Sequence, residues 1–312
     1  MRKFFGILFL GFLLSCKPES DTIEPSPKDP WQENYTEMNY SMGGIPNSGN
    51  FNPIKEIGKI ESALLTEASG LAPCTYRSDW LYAHNDGGDT NRYFILDTSG
   101  KHVKSVFVTG IGNRDMEDMA IDHNPLEGNT YIYLGEIGDN DAVYPQIKIY
   151  RFREEIFPNN GRDTTTLKAE IFNFIYPDGP RDAEALLVDP WSHHLYIITK
   201  RDSRTRVYKA HFPFNSIGVQ TLQLVATLPF SGVVAGDISA DGKNIVLKTY
   251  LQAFVWERNV SETVVSALSR QPKLLPYKFE KQGEAFCWSA DAQRYYTVSE
   301  GKNEPIYMGS RK

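Results

Sequence analysis

The sequence predicts an all-β fold, a five-bladed β-propeller. Three observations carry the prediction: a short phrase repeated five times, β-branched and aromatic runs between its copies, and an outer strand missing from the last repeat but present ahead of the first. The copies read Glu67-Ala68-Ser69-Gly70-Leu71-Ala72, Asp115-Met116-Glu117-Asp118-Met119-Ala120, Asp182-Ala183-Glu184-Ala185-Leu186-Leu187, Ala235-Gly236-Asp237-Ile238 and Gln282-Gly283-Glu284-Ala285-Phe286. With Ser69, Glu117, Glu184, Gly236 and Glu284 taken as equivalent, the spacings are 48, 67, 52 and 48 residues. One supersecondary unit every 40–50 residues, roughly, is the propeller signature.

The elements follow in order. The first repeat offers strands near residues 70–73, 80–84, 92–97 and 102–108, punctuated by Gly, Asp, Asn and Pro. The second offers 131–136, 146–152 and 168–176, with 158–165 inserted before its outer strand, which accounts for the long spacing. The third has 194–200, 206–210 and 221–228, and the fourth 244–249, 253–258 and 272–279. The fifth has 294–298 and 305–309 and then ends, one strand short. Residues 54–60 are an unpaired strand ahead of the first repeat, so strand exchange between the two ends closes the ring and hides an edge. Six blades are the alternative, if one repeat has diverged beyond recognition.

The chain is expected to divide into a signal at 1–15, a lipidated cysteine with a flexible tether at 16–51, and the propeller at 52–312. Arg2 and Lys3 precede an apolar stretch, Phe4 to Leu14, too short to span a bilayer, which ends in Leu13-Leu14-Ser15-Cys16. That ending resembles the lipobox of bacterial lipoproteins, which implies lipidation of Cys16; an ordinary cleaved signal is the alternative. Lys17, rather than an aspartate, follows the cysteine, and the resemblance then favours the outer membrane, facing the periplasm or the exterior. The stretch up to about residue 50 is rich in Pro, Ser, Asn, Asp and Glu and has almost no aliphatic pattern, so it reads as tether. Contact with the membrane is expected through the N-terminal lipid only, and the protein is expected to be a monomer.

Without Arg2 and Lys3 the chain carries 31 basic against 39 acidic residues, a net charge of −8. No basic stripe interleaves with aromatics, which argues against nucleic acid as a partner. In the repeat alignment Cys74 follows the first inner strand and Cys287 lies on the last one, and ring closure makes those blades neighbours. A disulfide between them and two separate buried thiols both fit.

In a propeller blade the start of the inner strand and the end of the second strand meet at one face. Here both sets are polar. The starts carry Glu67, Arg114, Asp115, Glu117, Arg181, Asp182, Glu184, Asp237, Lys281 and Glu284. The ends carry His84, Asn85, Asp86, Glu136 to Asn140, Lys200, Arg201, Lys248, Thr249, Tyr250, Ser299 and Glu300. Such convergence makes a binding mouth, or else a wet channel without a specific ligand. Glu117, Glu184 and Glu284 share one level with Asp237 one residue off it, and carboxylates crowded together repel unless a cation is present. A hard ion such as Ca²⁺ meets that need; pairing with Arg114, Arg181 and Lys281 is the alternative. The six histidines lie in unrelated contexts and form no zinc-type cluster. Only His84 is expected to reach the mouth, as a general base or as a plain hydrogen-bonding group.

The phrases at 68–72, 116–120, 183–187 and 283–286, with Thr297-Val298-Ser299-Glu300-Gly301, resemble those of the SdiA-regulated and esterase-like phytase propellers. His84-Asn85-Asp86-Gly87-Gly88-Asp89, Gly135-Glu136-Ile137-Gly138-Asp139-Asn140, the stretch from Tyr176 to Glu184 and Gly236-Asp237-Ile238-Ser239 are similar to those of a group of secreted bacterial propellers of unassigned function. The likeness spans about residues 64–301. It implies a calcium-type ion near the channel glutamates, although Ser69 stands where a carboxylate is expected. The phytase activity transfers poorly, because its several metals and phosphate-binding basic cluster have no counterpart here.

Two functions fit. One is a lipid-anchored binding module holding a ligand at the mouth, with an ion in the channel. The other is a hydrolase of phosphoesters or glycosides, for which Asp86, Asp115, Glu136, Asp182 and His84 are the catalytic candidates. Asn85, Arg114, Asp139, Asn140, Arg181, Lys200, Lys248, Lys281 and Glu300 are the ligand-binding candidates. Glu117, Glu184, Asp237 and Glu284 are the metal candidates.

Overall fold

A computed structural model describes residues 34–312. Cys16 and the signal lie outside them. Two strands, β1 (Thr36–Glu37) and β2 (Lys55–Lys59), precede the first blade, which is β3 (Ala68–Pro73), β4 (Trp80–Asn85), β5 (Arg92–Asp97) and β6 (His102–Thr109). The second blade has β7 (Met116–Asn124), β8 (Asn129–Glu136) and β9 (Ile147–Arg153); after β10 (Thr164–Lys168) comes its outer strand, β11 (Glu170–Ile175). The third has β12 (Ala183–Val188), β13 (Leu195–Thr199) and β14 (Arg206–Ala210), then β15 (Val219–Thr221) and its outer strand β16 (Gln223–Thr227). The fourth is β17 (Val233–Ile238), β18 (Asn244–Thr249), β19 (Ala253–Glu257) and, after a one-turn helix α1 (Val264–Leu268), β20 (Lys273–Leu274). The fifth is β21 (Ala285–Trp288), β22 (Arg294–Val298) and β23 (Pro305–Ser310).

These strands form five sheets around one axis, a five-bladed propeller. The last blade is closed as the sequence predicts, by β2 pairing antiparallel with β23. The insertion at 158–165 has a further use. Its β10 lies parallel to β6 as a fifth strand of the first blade, and β15 does the same for β11 of the second. Inner strands are buried on both faces, and each face of a blade packs against its neighbour, so the cores lie between blades. No helix among the described residues is long and apolar enough to cross a membrane.

Residues 36–51, expected to be tether, are instead a strap across three blades. β1 adds a fifth strand to the third blade, parallel to β16. Met38 is buried in the core between the third and fourth blades, where Tyr40, Met42 and Ile45 pack beside it. The Leu274 amide donates to the Pro46 carbonyl at 2.9 Å and the Ser48 amide donates to the Leu274 carbonyl at 2.7 Å, which seats residues 46–48 parallel beside the two-residue edge strand of the fourth blade. Phe51 then packs against Trp288 and Tyr295 of the fifth, at ring distances of 5.8 and 5.7 Å. Isolated apolar side chains filling separate gaps leave no periodicity to read.

Cys74 and Cys287 are both free, buried thiols. Side chains alternate across a strand. Cys74 falls on the face of the first blade that meets the second, with Ala72, Trp80 and Tyr82, whereas Cys287 packs on the opposite face, with Leu71, Leu81 and Ala83. The first blade stands between them, which excludes the bridge. Unfolding without reductant is expected to leave Cys74 and Cys287 each alkylatable, read as a mass addition on each of their peptides; a linked Cys74–Cys287 peptide pair would contradict this.

Buried carboxylates stitch blades together from within the channel. Asp118 accepts the Met119 amide at 2.8 Å and, across the blade boundary, the Leu186 amide at 2.9 Å. Asp237 accepts the Trp288 amide of the fifth blade at 2.8 Å. Asp118→Ala orphans the Leu186 N–H and is expected to cost about 1–3 kcal/mol in a urea titration.

Candidate functional site

The acidic mouth is built by a repeated irregularity. In the first three blades the pairing of strands one and two slips by one residue at Ser69, Glu117 and Glu184. A bulge of this kind re-aims the extra residue. In the fourth blade the slip falls at Val234, not Gly236, and in the fifth the register places Glu284 at the same level. Asp237 is therefore three residues below the ring rather than one beside it, and its carboxylate is committed to Trp288. This corrects its assignment as a metal ligand. The ring is Ser69, Glu117, Glu184, Val234 and Glu284, all buried.

Above the ring stand Asp86, Asp115 and Asp182. Ligand oxygens of Asp86, Asp115 and Glu117 lie within 4.8 Å of one another, as do those of Glu117, Asp182 and Glu184. Glu117 belongs to both groups. Gly138 makes this approach feasible, because a Cβ there would lie 2.2 Å from Glu117 Oε1 and 2.6 Å from Asp115 Cγ. The Ser69 hydroxyl donates to the Glu117 carbonyl at 2.5 Å.

Among the described residues, ion pairs reach only one side of the cluster. Lys200 Nζ bonds Glu184, lies 3.5 Å from Glu284 and donates to Tyr250 Oη at 3.2 Å, while the Tyr250 hydroxyl bonds Glu284. Arg201 Nε sits 2.6 Å from Asp182 and its other end bonds Asn140. None of the expected neutralising residues does this. Arg181 turns to Asp178 and Asp202, Arg114 donates to the Gly138 carbonyl at 3.0 Å and stacks on Tyr144, and Lys281 is exposed. Among the described residues no ion pair reaches Asp86, Asp115 or Glu117.

The protonation of the cluster records this imbalance. Burial, then the neighbouring Glu184 and Asp86, pushes Glu117 well above the carboxylate range. Burial raises Glu184 to about 8 in spite of Lys200, and Asp86 to about 6. Glu300, beside Glu284, is raised to about 9, first by burial and then by that partner. Each of these carboxyls holds its proton to higher pH in the folded chain than in the unfolded one. Their contribution to stability is therefore fully present below about pH 4 and lost as pH rises through about 6, 8 and 9. The ion-free protein is expected to lose melting temperature across that window, and millimolar calcium to flatten the decline; a curve rising toward pH 9 without added cation would contradict this.

The remaining candidates fall into place by register. His84 does not reach the mouth. It is buried one level below the ring, over Gly70, where a Cβ would meet its Nε2 at 2.2 Å; burial lowers it to about 4, so it is neutral. Lys248 pairs with Ala235, two residues deeper along its strand than Lys200, and is buried with its amine on the Gly283 carbonyl and near Glu280. Burial lowers Lys248 to about 8, so it is a structural group and not a mouth residue. Asn85 organises the 64–67 turn through the Thr66 and Glu67 amides, and Asp139 accepts the Val143 and Tyr144 amides. Glu136 accepts the Arg114 amide and pairs with Lys148. Asn140, Arg181, Asp182 and Arg201 line a cleft of about 210 Å³ next to the cluster. Arg201, Tyr250 and Gly138, which the sequence puts among the strand ends at the mouth without a binding role, join the site; Arg201 directly follows Lys200 and Tyr250 matches it in the repeat.

No family model matches the chain, and no curated protein matches it. Among solved structures, the holo form of the PQQ domain of pyranose dehydrogenase from Coprinopsis cinerea is similar over 89% of this chain and 100% of that one, with a TM-score of 0.47 and 12% identity. At that distance the likeness reaches no further than the propeller architecture, which the strand pairing already establishes.

Proposed function

We propose that this protein is a cell-envelope binding module, anchored through a lipid on Cys16, which holds a hard divalent cation of the calcium type at the acidic mouth and a ligand in the adjoining cleft. The observation that carries the reading is Glu117, shared between two carboxylate groups, with no ion pair among the described residues reaching it, Asp86 or Asp115. Oxygen donors alone, from several strands, suit calcium rather than zinc or copper. Asp86, Asp115, Glu117, Asp182 and Glu184 would hold the ion, which would supply positive charge toward a ligand's oxygen atoms. The resemblance of the inner-strand phrases to the SdiA-regulated and esterase-like phytase propellers supports the same ion. The lipobox-like ending at Cys16 supports the outer membrane as the site of action. Calorimetric titration with calcium tests the reading: saturable binding that Glu117→Gln weakens at least tenfold is expected, and no heat with calcium, magnesium or manganese would contradict it.

A hydrolytic reading has one observation in its favour. Carboxyls at one mouth are held at different protonation, Asp86 near 6 and Glu300 near 9, which is the arrangement acid–base chemistry uses. Phosphoester, ester and glycoside substrates screened against wild type and Asp115→Asn test it. Turnover lost in the variant supports an enzyme; none in wild type leaves the binding module.

A further inference from the structure

Opposite the acidic mouth, the propeller has a face of different character. Inner strands run from the mouth toward this far face, so it carries the turns between strands one and two. Third strands run the same way, so it also carries the connections from strand three to strand four. Leu126, Ile156, Trp191, Ile217 and Val260 all lie in these connections, and every one is an exposed large apolar side chain. Leu126, Ile156, Ile217 and Val260 are each 77–83% exposed. Trp191 is held in place: Arg258, paired with buried Asp189, stacks on it at 4.0 Å, and its indole N–H donates to the Asp241 carbonyl at 3.2 Å. The channel opens on the same face as a cavity of about 370 Å³, to which the blades contribute Pro73, Ile121, Val188, Ile238 and Ala290.

From these observations we infer that the far face is a bilayer-docking surface and that the acidic mouth points away from the membrane. Three arguments select a phospholipid surface as the occupant. First, the chain leads there. β1 is parallel to β16, which runs from the far face toward the mouth, so the polypeptide before Thr36 heads to the far side, and Tyr35 shares a core with Phe214 of a far-face connection. Residues 16–33 reach about 60 Å when extended, enough to join a lipid at Cys16 to that face. Second, separate apolar side chains around a Trp, rather than one deep groove, suit shallow insertion among headgroups. Third, the other face excludes itself. It also exposes Leu64, Val143, Tyr144, Leu251 and Phe279, but these surround the carboxylate cluster, which an anionic membrane repels. The first of these arguments rests on the lipid-anchor reading; the second and third do not.

The test uses the full-length protein in vesicles of phosphatidylcholine and phosphatidylglycerol containing brominated lipid, which quenches tryptophan at the bilayer surface. Trp31, on the segment that leads to Cys16, is replaced by Phe in every sample, and Trp80, Trp256 and Trp288 are buried and out of reach. Quenching that disappears in Trp191→Phe is expected. Leu126→Ser with Ile217→Ser should reduce the quenched fraction on the order of tenfold or more, whereas Leu64→Ser with Leu251→Ser should leave it unchanged. Equal quenching in wild type and Trp191→Phe would overturn the inference, as would a loss caused by the mouth-side pair. Mass spectrometry of the same sample reads the lipid on Cys16, so a missing lipid sinks the anchor separately while the quenching still decides the face.

Discussion

Lys200→Met is expected to destabilise the ion-free protein by about 3–5 kcal/mol near pH 9, and calcium is expected to restore most of the loss. Lys200 is the internal cation of the cluster, bonded to Glu184 and close to Glu284, with its side chain only 14% exposed. Removing it leaves buried carboxylates without their partner. Burial already holds Glu184 near 8, so at pH 5 the carboxyl takes up a proton and the penalty shrinks. An external divalent ion replaces the missing ammonium and faces no competition from it. The calcium-induced rise in melting temperature should therefore be larger in the variant than in wild type. Thermal melts at both pH values, with and without calcium, check both signs. A variant as stable as wild type at pH 9 would show that Lys200 carries no such role.

Gly138→Ala is expected to weaken calcium binding by about 10–100-fold and to cost the ion-free protein about 1–3 kcal/mol through overpacking. The added methyl would overlap Glu117 Oε1 and press on Asp115, and both neighbours belong to one carboxylate group. One of them must leave the cluster. Glu117→Gln keeps the shape and removes the charge, so it separates the two effects: calcium binding falls, while packing is retained. Calorimetric titration and melts of the pair read this directly. Unchanged calcium affinity in both variants would place any ion elsewhere.

The propeller was legible because its inner strands repeat a phrase at nearly constant spacing and because the last repeat lacks a strand that the start of the chain supplies. The level of each residue along the channel was not. Ala235-Gly236-Asp237-Ile238 imitates the phrase of the other blades, yet the bulge falls at Val234, and a shift of two residues carries Asp237 from the ring to a structural carboxylate. Lys200 and Lys248 read alike at the ends of second strands. Register makes Lys200 the counterpart of Tyr250, and Lys248 that of Ile198, so one is at the mouth and the other is buried. Bulges arise from pairing between strands and leave no mark in a single strand's pattern. The same limit hid the strap at 36–51, whose apolar residues each fill a gap made by a different blade, and it brought Cys74 and Cys287 to opposite faces of one sheet. The sequence places Asp86, Asp115, Glu117, Asp182 and Glu184 at the mouth but reads the three aspartates as catalytic and groups Asp237 and Glu284 with the metal glutamates; the pairing of Lys200 and Arg201 with the cluster has no sequence signal beyond their position.

A cation held between Glu117 and the two carboxylate pairs that flank it is the central claim. The direct measurement is anomalous diffraction from crystals of the protein grown with calcium and exchanged for terbium. The prediction is one anomalous peak bounded by Glu117 and either Asp86 with Asp115 or Asp182 with Glu184, lost in Glu117→Gln. Crystals without a peak at the mouth, with Lys200 still bridging Glu184 and Glu284, would contradict it and leave the cluster neutralised by protons and lysine alone.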